Sequence, residues 1–431
     1  MPKDSRPLHL VYYSYHLDPR AGGPTGYLAN LKIGLDKIPN PEDFSIWFLT
    51  GVAKNKSKNN QKTAIFAFIK QKISSFNKLN RFYTNFIGRS KRKGIAKRTK
   101  YFLDLCSNEI QNETLKIFIQ THQNIKSIHC HTFIDAAEAH STLLAMGKRN
   151  QIKIILTSHM PEAPSIELSN SYRESGLSEK HIQPFTLACE KLQTKTFSAV
   201  DAIIFPSKES MEPYYQTVEN FDQLINNKKI LFLITGSIGL TECCSKEEAK
   251  EKLGIPSDNF IVSYIGRHNG VKGYDLLCKA AYKVFEQNYP ISFVVAGREN
   301  RLYPSPQHPQ WKELGWVNPA TVLKASDLFV LSNRRTYFDL IMLEALSLGS
   351  NILATNTGGN KTIFKLTNSI SLVEANPEEI ANEIIDQYNH PEKRKKAEDV
   401  QEQFKRWFCE TEFAKNYINL IQNYYKDEGL L

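Results

Sequence analysis

The stretch Gly266-Arg267-His268-Asn269-Gly270-Val271-Lys272-Gly273 joins a β-rich run, Phe260 to Ile265, to a helix rich in Leu and Ala, Tyr274 to Phe285. Glycines at a strand-to-helix turn let backbone amides approach a phosphate, and the helix start adds favourable partial charge. Arg267 and Lys272 can then neutralise a diphosphate. Further on, Leu340-Ile341-Met342-Leu343-Glu344-Ala345-Leu346 buries a carboxylate in an apolar helical stretch. Such a group needs partners: the paired hydroxyls of a ribose would donate to Glu344, and a salt bridge to Arg or Lys is the alternative. Thr357-Gly358-Gly359-Asn360 is a second glycine turn after a strand, at the carboxyl edge where open α/β sheets bind ligands.

Two features of the first half sit in equivalent places. Arg20-Ala21-Gly22-Gly23-Pro24-Thr25-Gly26-Tyr27 follows the run Leu8 to Ser14, and Thr157-Ser158-His159-Met160-Pro161-Glu162 follows Lys153 to Leu156. Gly22 and Gly23 are candidates for a close backbone approach, or form an ordinary turn. His159, at a strand's carboxyl end, could act as a base. His129 and His131 also follow a strand, but alternating histidines are more often packed or solvated.

Short β-rich runs alternating with longer helical patterns must carry these residues. Besides those named, Ser45 to Leu49, Ile125 to His129 and Ala202 to Phe205 read as strands, and the rhythm restarts with Ile230 to Ile234, Ser292 to Ala296, Leu328 to Leu331, Asn351 to Ala354 and Ser369 to Leu372. Such alternation implies parallel βα units. At 431 residues the chain suits two cores and a cleft. We expect a first domain over 1–228 with a basic insertion at about 54–100, a second over 229–405, and a C-terminal helix over 406–431, with Gly236 to Ser245 as the linker. In the tail, Phe404, Trp407, Phe408, Phe413, Tyr417, Leu420 and Tyr424 recur at helical spacing. That face either crosses back onto the first domain or packs on its own.

The formal charge of +10 is concentrated: Phe44 to Leu103 holds fifteen Lys or Arg and no Asp or Glu, leaving 40 basic and 45 acidic residues elsewhere. Local basicity points to a local anionic surface and away from nucleic acid bound by charge spread over the whole protein. Within it Ile65, Ile69, Ile73, Phe76, Leu79, Tyr83 and Phe86 recur every three or four positions among lysines. This cationic amphipathic helix either meets an anionic membrane surface through 62–100 or turns its stripe to its own domain. The seven cysteines form no CxxC pair and read as free thiols. The N-terminus has no secretory cleavage pattern and no run spans a bilayer, so the expected location is the cytoplasm, peripheral on a membrane if the basic helix binds lipid.

The order Gly-Arg-x4-Lys-Gly, Ala296-Gly297, Leu314-Gly315-Trp316-Val317, Ala325-Ser326-Asp327, Leu343-Glu344-Ala345 and Thr357-Gly358-Gly359 resembles the C-terminal half of GT-B, family 4 retaining glycosyltransferases. The resemblance implies an α/β, GT-B fold, with two Rossmann-like doubly wound domains facing across a cleft and a C-terminal helix crossing back. It implies a hexosyltransferase-like enzyme moving sugar from a nucleotide-sugar donor to a glycan or lipid-linked acceptor, in cell-surface polysaccharide or glycoconjugate synthesis. The alternative is a non-catalytic member binding a nucleotide sugar or partner enzyme. Donor contacts carried over are Gly22, Gly23, Gly266, Arg267, Lys272, Thr336, Asp339, Leu340, Glu344 and Gly358, with His159 beside the reacting carbon. Catalytic roles fall to His159, Arg267 and Lys272. With no Asp-x-Asp motif, no metal is expected, and no cofactor beyond the sugar nucleotide as substrate. The family usually has Glu eight positions before Glu344 and Phe-Gly after it; here stand Thr336 and Phe338-Asp339. Arg334, Arg335 or Asp339 are the candidates to replace the missing contact.

Overall fold

A computed structural model describes residues 5–19, 22–51, 77–241, 244–256 and 258–431. The first sheet comprises β1 (Leu8–Tyr13), β2 (Ser45–Thr50), β3 (Ile125–Cys130), β4 (Lys153–Leu156), β5 (Ala202–Phe205) and β6 (Lys229–Phe232). All pair in parallel in the order β2-β1-β3-β4-β5-β6. The second comprises β7 (Phe260–Ile265), β8 (Ile291–Ala296), β9 (Trp311–Gly315), β10 (Leu328–Leu331), β11 (Ile352–Thr355) and β12 (Ile370–Val373). It is also parallel, in the order β12-β11-β10-β7-β8-β9. Helices on both faces bury these strands, so β1, β5, β10 and β11 are buried at every position and read as continuous apolar runs. The result is two Rossmann-like domains in the GT-B arrangement.

The domain boundary moves. Lys229 to Phe232 does not open the second domain but forms the edge of the first sheet, Ala202 opposite Lys229 through Phe205 opposite Phe232. Leu233 then enters the first domain's core, so the crossing begins only after it. A short edge strand has the same rhythm as a first strand, which is why pattern alone misplaces it. β9 escapes the pattern too, because Lys312 and Glu313 leave only Trp311 buried on that edge.

The tail resolves into helices Ala397–Trp407 and Glu410–Asp427. The first stays on the second domain through Val400 and Phe404; the second crosses to the first, where Phe413, Tyr417, Ile421, Tyr424 and Tyr425 join a core with Val11, Tyr13, Tyr27, Leu31, Ile155 and Ile204. Burying each of those large side chains contributes about 1.5–3 kcal/mol. The approach is tight: a Cβ on Gly34 would lie 2.0 Å from the Glu410 carbonyl oxygen and 3.0 Å from Ala414 Cβ. The two crossings run side by side, with the Ser237 amide donating to the Phe408 carbonyl at 2.8 Å.

Most of the basic amphipathic run, 52–76, lies outside the described residues. The helix Asn77–Cys106 follows it, and in its second half Ile95, Phe102 and Leu105 pack on Phe133, Phe185 and Leu192 of the first domain. These residues lie beyond the stripe Ile65 to Phe86, whose side chains fall outside the described residues. Among the described residues no helix is long and apolar enough to cross a membrane.

Candidate functional site

In the second sheet the strand order reverses between β7 and β10, and it is at the carboxyl ends beside such a reversal that open α/β sheets bind ligands. The loops leaving these strands hold the predicted residues. They are stitched together: the Arg334 amide donates to Val271 O at 2.9 Å, and Ser332 Oγ to Gly273 O at 2.9 Å. Gly273 starts the helix Tyr274–Glu286 with φ +62°, and a Cβ there would fall 1.7 Å from the Ser332 carbonyl oxygen. Only glycine lets the loops close.

Within this frame the charges are arranged in pairs. Lys272 Nζ meets Asp339 Oδ1 at 2.5 Å, and Asn333 Nδ2 donates to Asp339 Oδ2 at 2.7 Å. Burial pushes the Asp339 carboxyl up, but the Lys272 ammonium and the Asn333 amide outweigh it and hold it below its ordinary value. Arg334 grips Asp275 through both its terminal nitrogens, at 2.5 and 2.6 Å. Arg335 reaches across the cleft to Glu162 at 2.7 Å. Of the three candidates to replace the missing contact, both arginines are thus committed elsewhere. Arg267 is half-exposed, with a looser reach to Glu167 of the first domain at 3.3 Å.

Glu344 lies one turn into the helix Leu340–Ser347, half-buried, with Leu340 half-buried at the helix start. Its carboxylate has no ion pair or hydrogen-bond partner among the described residues, so the salt bridge weighed from sequence is not made. Desolvation pushes its pKa up to about 7. Thr336 is fully buried, and its carbonyl oxygen lies 2.0 Å from where a Cβ on Gly358 would stand. Gly358, at φ +44°, donates its amide to Glu212 Oε2 of the first domain at 3.1 Å. Gly266 commits its amide to Ala296 O at 3.0 Å, so side-chain charge dominates that end of the loop.

On the opposite wall, Gly22 caps the helix Gly23–Leu35, and Gly23 has φ +65°. A Cβ on either would meet nothing within 4 Å. One turn on, the Tyr27 ring stands edge-on to His159 at 4.4 Å between centroids. His159 has φ +59°, unusual for a residue with a Cβ and often associated with function. Desolvation lowers its pKa to about 3, and its Nε2 meets His131 Nδ1 at 3.0 Å. Behind it His129 packs on His131 at 4.0 Å and bonds Tyr417 OH and Thr157 Oγ1, each at 2.9 Å.

Sequence reasoning missed the acidic partners. Glu162 and Glu167 line the first domain's wall after β4, and Asp135, which accepts from Ser14 Oγ, carries a carboxyl pushed up by burial to about 7. Glu162, three residues after His159, was the available signal. Thus the structure joins Lys272 to Asp339, sets Arg267 on the loop after β7 and Leu340 and Glu344 on the helix after β10, puts Gly22, Gly23 and His159 on the first domain, and buries Thr336.

Comparison with known proteins bears on the fold and on the second domain's sequence. Residues 245–404 match the family model "Glycosyl transferases group 1". D-inositol 3-phosphate glycosyltransferase 1 of Catenulispora acidiphila is 26% identical over 156 residues, 30% of this chain and 35% of that protein. UDP-Gal:alpha-D-GlcNAc-diphosphoundecaprenol alpha-1,3-galactosyltransferase of Escherichia coli is 28% identical over 202 residues, 44% of this chain and 47% of that protein. The chain thus aligns with about a third to a half of the length of these curated relatives. Among solved structures, sucrose-phosphate synthase from Thermosynechococcus elongatus superposes with TM-score 0.62 at 13% identity, covering 97% of this chain and 100% of that one. Anabaena HepE in complex with UDP-glucose gives 0.58 at 14%, covering 96% and 99%. These likenesses support the GT-B fold, and the sequence matches extend the similarity to glycosyltransferases across the second domain.

Proposed function

We propose that this chain is a retaining glycosyltransferase that takes a hexose from a nucleotide sugar and passes it to a glycan or lipid-linked acceptor in cell-surface polysaccharide or glycoconjugate synthesis. The observation that carries the reading is Glu344: a half-buried carboxylate without a protein partner among the described residues, on the helix that follows β10, next to the strand whose loop carries Arg267 and Lys272. Ribose hydroxyls would supply the donors that the protein does not. Arg267 and Lys272 would hold the diphosphate, Lys272 exchanging Asp339 for phosphate and leaving that carboxylate to receive a sugar hydroxyl. Gly358 and Leu340 would border the donor, with Thr336 beneath, and Gly22 and Gly23 would close over the phosphates from the first domain.

In the reaction the bond from the anomeric carbon to the diphosphate breaks and a bond from the acceptor oxygen forms on the same face. The acceptor's proton passes to a departing phosphate oxygen. Arg267 and Lys272 offset the charge that develops on the leaving group, and these side chains suffice for that without a bound metal. His159, neutral through desolvation, orients the sugar and takes no proton. The enzyme would work on the cytoplasmic face of a membrane, with the basic segment 62–100 near the anionic surface. The name of one relative, "Putative teichuronic acid biosynthesis glycosyltransferase TuaC" of Bacillus subtilis, supports a place in cell-surface polysaccharide synthesis.

Calorimetry with a panel of nucleotide sugars tests the reading. Binding should be lost in Arg267→Ala and in Glu344→Ala; unchanged affinity in both sinks the site assignment. The burial of Thr336, where the family pattern has Glu, favours a second reading, a member that binds without transferring. Donor affinity with no turnover on any acceptor supports that alternative.

A further inference from the structure

We propose that His131 is a positioning residue for His159, donating from Nδ1–H so that the His159 ring is protonated on its own Nδ1 and offers that N–H to the cleft. The inference rests on the reading of His159 as part of the transfer site. Its starting point is the 3.0 Å contact between His131 Nδ1 and His159 Nε2, with the rings 23° from coplanar and 5.3 Å apart. Both rings are neutral, because desolvation drives each pKa well below the ordinary histidine value. A single proton therefore lies between them, and it belongs to one ring or the other.

The far side of His131 decides. Its Nε2 is buried and has no hydrogen-bond partner. If His159 were the donor, His131 would have to carry its proton on Nε2, a buried orphan N–H. Such groups are rarer than under-satisfied acceptors. With His131 as donor, Nε2 is a bare lone pair instead. His159 then accepts on Nε2 and must be protonated on Nδ1, a nitrogen without a protein partner among the described residues. The left-handed backbone at His159 and the Tyr27 ring edge at 4.4 Å hold the imidazole in that pose. A ring so protonated donates to a sugar hydroxyl or a negative oxygen. It cannot also accept the acceptor's proton at that nitrogen, which leaves the departing phosphate to do so.

The test is nuclear magnetic resonance of the full chain labelled with ¹⁵N-histidine, with His159→Gln assigning the ring. Long-range proton–nitrogen correlations distinguish a protonated from a bare ring nitrogen. We expect His159 protonated on Nδ1 in the unmodified protein. Mixed or Nε2 protonation is expected in His131→Leu, and the original tautomer in His131→Asn, whose amide can donate from nearly the same place. Transfer should fall roughly five- to tenfold in His131→Leu, as for one lost hydrogen bond, with donor KM nearly unchanged, and recover in His131→Asn. A proton on His159 Nε2 in the unmodified chain overturns the proposal without needing any variant, as does an unchanged tautomer in His131→Leu. If the tautomer is as stated but saturating nucleotide sugar leaves the His159 signals unmoved, the placement of His159 in the transfer site is overturned, while its hold by His131 stands.

Discussion

Glu344 makes the strongest statement available from one side chain. Because its folded pKa is about 7, above the value near 4.5 of an unfolded chain, the unfolded state gives up its proton first as pH rises. Stability from this group is complete below about pH 4.5 and is lost on the way to pH 7. Glu344→Gln should therefore gain on the parent by on the order of 1–3 kcal/mol between pH 5 and pH 8, read from urea midpoints. Donor affinity should move the other way, tightening through pH 7 as the carboxylate ionises to accept ribose hydroxyls and staying flat in Glu344→Gln. Asp339 gives a second residue-level prediction. Removing it in Asp339→Ala frees Lys272, so the bare nucleoside diphosphate should bind as tightly as before or up to about tenfold tighter, while transfer is lost; calorimetry beside a transfer assay separates the two. Arg267, Lys272 and Glu344 stand out in the sequence because cations beside a glycine turn and a carboxylate within an apolar helix both call for partners. The Lys272–Asp339 and Arg335–Glu162 pairs do not, since residues 67 and 173 positions apart meet only once the loops and domains have docked.

Among elements, the strands read well wherever both faces are covered, because two-sided burial leaves an unbroken apolar run, as in β1 and β10. Of the edge strands, β2, β6 and β12 read as strands from the sequence, but β9, carrying Lys312 and Glu313, does not, and β6, with no fully buried position, reads as part of the wrong domain. Nor could the aromatic stripe of Glu410–Asp427 name its partner, since a stripe shows that a helix is covered and not by what. Gly34 gives that docking a measurable signature. It has ordinary helical backbone, so Ala is unstrained locally, yet its Cβ would run into the Glu410 carbonyl. Gly34→Ala should cost about 1–3 kcal/mol in urea unfolding by forcing the helices apart. A stability equal to the parent's would show that the contact yields.

At the scale of the molecule, the two domains are latched by carboxylates of the first on cations and a helix start of the second. Lys361 and the Gly358 amide both meet Glu212, Lys365 meets Glu209, and Arg335 meets Glu162. Glu209, exposed on one side, is nonetheless held down to about 2, its burial outweighed by Lys365 and Thr362. Glu209→Gln combined with Glu212→Gln should open the cleft, seen as a larger radius of gyration in X-ray scattering; an unchanged radius would mean that apolar contacts such as Tyr337 on Phe205 suffice. The return of the final helix also sets a timetable for synthesis. His9 and Tyr417, 408 residues apart, are hydrogen-bonded in the finished core. A ribosome adding roughly 5–20 residues per second leaves the inner face of β1 without its cover for something like 20–80 s. During that interval the nascent first domain is a natural client for chaperones, and the second domain, complete within its own stretch of chain, is made while the first still waits.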